Sequence, residues 1–82
     1  MADRSIKLKE LRRILRRYGV DEDTSLGKGS HTTFLKKMEL GVVTYPVPTH
    51  SREVLICYVR TCRKKFRLRE EDGVTDQEFY DS

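Results

Sequence analysis

The sequence predicts a small α+β domain of order α-β-β-β-α, with two helices on one face of a three-stranded antiparallel sheet. Three observations predict it. Residues 6–18 and 52–67 carry apolar side chains at helical spacing. Between them, residues 30–38 and 42–47 are rich in β-branched and aromatic types, and Glu39 to Gly41 form a hairpin turn. Finally, 82 residues supply only one modest core. Both amphipathic helices then bury their stripes most economically on the same side of the sheet, leaving its other face to water.

In the first helix, Leu8, Leu11, Leu15 and Tyr18 follow a 3, 4, 3 spacing with Ile14 beside them. Ser5 is the expected cap, and Gly19 suits the left-handed residue after the last turn. Lys9, Arg12, Arg13, Arg16 and Arg17 share the opposite face. Residues 20–26, "VDEDTSL", are poor in strand formers and predict at best a short, irregular first strand.

Strand periodicity in residues 30–38 sends Phe34 to the core, with Ser30 and Thr32 on its side of the strand, and His31, Thr33 and Leu35 to the uncovered face. Pro46 and Pro48 end the next strand or place it at a sheet edge, because proline donates nothing to a ladder. Thr49 or Ser51 caps the second helix. Val54, Leu55, Tyr58, Val59, Cys62 and Phe66 form its apolar arc, and Arg60, Arg63, Lys64 and Arg67 its basic one. Thr75 to Glu78 reads as a capping box that starts one helical turn carrying Phe79 and Tyr80. The division is therefore a domain over residues 1–69 and an acidic tail over 70–82.

Composition narrows the function. No apolar run approaches a membrane span, and "MADRSIKLKELRR" lacks the apolar region of a secretion signal. Cys57 and Cys62 fall about 140° apart on a helical wheel, which suits neither a disulfide nor a shared metal. They read as reduced thiols of a cytoplasmic protein. The net charge of +4 is uneven: residues 1–69 hold 17 Lys and Arg against 7 Asp and Glu, whereas residues 70–82 hold six acids and no base. A basic body calls for a polyanionic partner. The tail either docks across a basic face in competition with phosphate or packs locally as an extra turn.

The stretch "GKGSHTTF", residues 27–34, carries the chemistry. It is not a Walker loop, since Glu22 stands where the first glycine belongs and Gly29 follows Lys28. His31 and His50 are the only imidazoles, and no carboxylate or thiolate lies at ligand spacing from them, so no metal or other cofactor is expected. An exposed imidazole at the start of a strand suits a general base that takes the proton of a ribose 2′-hydroxyl. Lys28 and the N–H groups of the glycine turn at Gly29 and Ser30 suit the phosphate oxygens. The arginines of both helices supply further phosphate contacts. For His50 the residues leave two roles open, a proton donor to the leaving 5′-oxygen or a structural bond at the last helix.

The segments "ELRRILRRYGV", "GKGSHTTF" and "VTYPVPTH", followed by a closing helix, resemble the HicA family of toxin–antitoxin toxins over roughly residues 6–68. That resemblance implies a double-stranded-RNA-binding-domain-like fold and metal-independent cleavage of mRNA. It also implies neutralisation by a HicB-type antitoxin. The family's catalytic histidine falls on His31, its preceding turn on Gly29 and Ser30, and its histidine at the entrance to the last helix on His50. The acidic first strand, with Asp21, Glu22 and Asp23, and the acidic tail depart from the minimal family pattern. Two rival readings are a non-catalytic RNA-binding module of the same fold and a basic protein-interaction domain.

Overall fold

The computed structural model describes residues 3–25 and 29–81. In chain order the elements are β1 (Ile6–Lys7), α1 (Leu8–Arg17), β2 (Asp21–Asp23), β3 (His31–Met38), β4 (Gly41–Pro48), β5 (Glu53–Val54) and α2 (Ile56–Lys65). A short 3₁₀ turn (Glu70–Asp72) and α3 (Asp76–Tyr80) complete the chain. The fold is α+β, with a three-stranded antiparallel sheet in the order β2-β3-β4 and a separate two-stranded pair, β1-β5.

That pair corrects both helix starts. Ile6 and Lys7 pair antiparallel with Val54 and Glu53, so these four residues are extended. Helix α1 therefore starts at Leu8, whose N–H donates to the Arg52 carbonyl at 2.8 Å. A backbone carbonyl from a distant segment thus satisfies an end that Ser5 was expected to cap. Helix α2 likewise starts only at Ile56, so neither Thr49 nor Ser51 caps it. Leu55, expected in the apolar arc, occupies the cap position and is 60% exposed.

Both helices end by the same device. After α1, the Val20 N–H donates to the Leu15 carbonyl at 2.9 Å and the Gly19 N–H to the Arg16 carbonyl at 3.0 Å. Gly19 has φ +81°, as this closing motif requires. After α2, Leu68 N–H donates to Arg63 at 2.7 Å, but the left-handed position is filled by Arg67, with φ +55°.

The acidic strand β2 forms because one of its carboxylates faces inward onto partners. Glu22 lies opposite Phe34 on the helix-covered face. It accepts from Arg12 Nε at 2.9 Å and from Thr32 Oγ1 at 2.6 Å. Thr32 and Phe34 are buried as expected, with Val47 alongside. Thr33, expected on an open face, is also buried. It sits on the central strand between Asp23 and Pro46, and these neighbours cover it.

Strand β4 is a sheet edge, and its prolines are in phase with that edge. The Thr49 N–H donates to the Ser30 carbonyl at 2.7 Å, so odd-numbered residues of β4 turn their N–H groups toward β3. Even-numbered residues then face outward, and Pro46 and Pro48 remove two donors from the open edge.

The core joins Leu11, Ile14 and Leu15 of α1, Phe34 and Val47 of the sheet, Val59 and Cys62 of α2 with Phe66 just after its end, and Phe79 and Tyr80 of α3. The tail is thus part of the packing. Thr75 caps α3 through the expected box, accepting from the Glu78 N–H at 3.1 Å. Phe79 stacks on Tyr18 with ring centres 6.2 Å apart. Several tail acids are also engaged: Asp76 pairs with Arg63 at 2.6 Å and Glu71 with Arg69 at 3.1 Å. Burial of Phe79 and Tyr80 and the Arg63–Asp76 pair together hold the segment in place.

Candidate nucleic-acid interface

His31 is the first residue of β3 and is exposed. Gly29, two residues earlier, takes φ +65°, which lets the chain turn sharply into the strand. Ser30 Oγ lies 3.3 Å from His31 Nδ1, and the Ser30 carbonyl accepts the Thr49 N–H described above. That bond ties the strand's start to the segment leaving β4. His31 faces Pro48 in the register, and His50 follows two residues later. The two histidines are therefore brought to one end of the β3–β4 ribbon, although 19 positions separate them in sequence. Lys28, the expected phosphate ligand of the turn, lies outside the described residues.

His50 is exposed and stands ahead of β5 rather than at the mouth of α2. It does not cap that helix, whose cap position has no side-chain hydrogen bond.

The basic residues expected to face outward sort into four groups. Arg13, Arg16 and Arg17 of α1 and Lys64 and Arg67 of α2 are exposed. Arg12 is committed to Glu22, with its Nε 2.9 Å from both carboxylate oxygens. Arg60 is exposed, with its Nε 3.7 Å from Asp3 Oδ2.

Arg63, expected on the outward basic arc, is instead in the core with a side chain only 3% exposed. Its Nη1 donates to Asp3 Oδ1 at 2.8 Å and Asp76 Oδ1 at 2.6 Å, its Nε to the Leu68 carbonyl at 2.8 Å, and its Nη2 to the Val74 carbonyl at 3.2 Å. Burial works against its charge, but the bonds to Asp76 and Asp3 outweigh that and raise its pKa. A buried guanidinium needs such partners, and Asp3 and Asp76 supply them from segments distant in sequence. Sequence reasoning missed this cluster because Asp3 and Asp76 are 60 and 13 residues from Arg63. The available signal was an acid at the first position of a short, capped, aromatic-bearing turn.

Burial pushes the Cys62 thiol up to about 12, whereas Cys57 is exposed; both are free. Among the described residues, no helix is long and apolar enough to cross a membrane. No group of three or more His, Cys, Asp and Glu among them could hold a metal ion. Comparison with known protein families, with curated proteins and with solved structures finds no match.

Proposed function

We propose that this protein is a ribonuclease of the HicA kind that cleaves RNA without a metal, uses His31 as general base, and is neutralised by a HicB-type antitoxin. The observation that carries the reading is an exposed imidazole on the first residue of an eight-residue central strand, at the end of the sheet to which His50 returns. In the tautomer with Nδ1–H donating to Ser30 Oγ, Nε2 holds the lone pair. It takes the 2′-hydroxyl proton as that oxygen attacks the adjacent phosphorus. The P–O5′ bond breaks, and the leaving oxygen takes a proton from His50 or water, leaving a 2′,3′-cyclic phosphate. General-base action of this kind contributes about 10²–10⁴-fold. Arg13, Arg16, Arg17, Lys64 and Arg67 supply exposed positive charge for the phosphate backbone.

The test is cleavage of RNA in excess EDTA by the full chain and by His31→Ala. The variant should keep its melting temperature and RNA affinity and lose at least about a hundredfold in rate. Equal cleavage by the variant removes His31 from the chemistry. Salt-dependent RNA binding with no cleavage by the parent chain leaves only a binding module.

A further inference from the structure

We propose that the pocket beside His50 is a subsite for one unpaired, amino-bearing nucleobase, an inference that rests on the ribonuclease reading above. The pocket has a volume of about 280 Å³ and is lined by Pro48, His50, Ser51, Glu53, Leu55 and Tyr58, over buried Val54. Its position ties it to the candidate base. Pro48, one of its walls, is the register partner of His31. The two form a non-hydrogen-bonded pair, in which Cα atoms stand about 4.5 Å apart and side chains share a face. A strand whose phosphate lies against His31 therefore has a neighbouring nucleotide within reach of this pocket.

The lining suits a base better than a phosphate. Among the described residues that line it there is no lysine or arginine, and the one acid, Glu53, repels an anion. It offers the imidazole of His50, the half-buried ring of Tyr58 and the exposed side chain of Leu55. Leu55 is held in water at the cap position of α2, where strand pairing of the residues before it leaves it no place in the core. A flat base covers such a surface, and bases splayed from single-stranded RNA stack on aromatic side chains in this way. The exposed Glu53 carboxylate accepts hydrogen bonds but cannot donate them, so it favours the amino group of cytosine over the carbonyl that uracil presents at the same place. Charge thus separates the two parts of the ligand, with phosphates going to the arginines and a base to the pocket.

Binding of short 2′-O-methyl oligocytidylate and oligouridylate to the full chain tests this, because the blocked hydroxyl prevents cleavage. The cytidylate should bind at least about fivefold tighter. Glu53→Gln, a change at an exposed side chain, should abolish most of that preference. Tyr58→Ala and Leu55→Ala should weaken both oligomers, Tyr58→Ala by at least about fivefold, whereas Tyr58→Phe should retain affinity. Equal affinity of the parent chain for the two oligomers, or an unchanged preference in Glu53→Gln, overturns the subsite while leaving the ribonuclease reading intact. Absence of binding to either oligomer overturns both. Unimpaired cleavage of ordinary RNA by His31→Ala, together with a Glu53-dependent preference, supports the subsite and removes only the assigned base.

Discussion

Arg63 donates to Asp76 at 2.6 Å inside the core, joining α2 to the C-terminal helix. The same guanidinium holds Asp3 and stacks over Phe79, 4.7 Å from the ring centre. The segments that carry Asp3 and Asp76 are thus joined through one side chain.

Replacing Arg63 with glutamine should therefore cost about 3–5 kcal/mol, because two carboxylates lose their partner in a largely dry site. Arg60→Gln, which removes an exposed contact of 3.7 Å to Asp3, should cost less than about 1 kcal/mol. Urea midpoints of the two variants measure the contrast. Equal, small losses would mean that the cluster is hydrated and contributes little.

The same cluster makes stability depend on pH at both extremes. Burial raises the pKa of Asp3, but hydrogen bonds from Arg63 and Tyr80 and the charges of Arg63 and Arg60 prevail and hold it below its ordinary 3.8. A depressed folded value means that the contribution is complete above 3.8 and is lost as pH falls through the lower folded value. Tyr80 behaves in the opposite sense: burial first, and then its bond to Asp3, push the phenol up from 10.0 to about 12. Its contribution is complete below 10.0 and is lost as pH rises through about 12. Denaturation midpoints should fall at both extremes. Tyr80→Phe should lower the plateau, through loss of the 2.8 Å bond to Asp3, and shrink the alkaline fall.

The edge of β4 offers a test of solubility. Pro46→Thr with Pro48→Thr restores two outward N–H donors on the strand. The double variant should self-associate with rising concentration in sedimentation experiments while the parent chain does not. A variant that sediments as the parent does would show that the prolines do not guard the edge.

The basic surface has separable parts. Arg13, Arg16 and Arg17 changed together to glutamine should weaken RNA binding without base preference and lower the salt slope by about three. Arg12→Gln should leave the slope and cost stability instead, because Glu22 loses its partner. Arg67 stands where the backbone favours glycine, at φ +55°. Arg67→Gly should raise stability by about 1 kcal/mol while weakening RNA binding, two effects of opposite sign from one change. If Arg67→Gly leaves RNA affinity unchanged, the strained arginine is not a phosphate contact.

Much of the architecture is determined locally and was legible in the residues alone. The stripe of Leu11, Ile14 and Leu15, the glycine after α1, the strand over 31–38 and the Thr75 box each follow from side chains a few positions apart. The inward direction of Phe34 and the exposure of His31 follow from strand periodicity. Tertiary structure decided what depends on residues distant in sequence. It moved both helix starts, because Ile6 and Val54 pair across 48 positions and no local signal competes with that pairing. It brought His50 to the His31 end of the ribbon through the register. It also took Arg63 out of the basic face: a helical wheel records angle but not what packs against it, and only the arrival of Asp3 and Asp76 makes a buried guanidinium affordable.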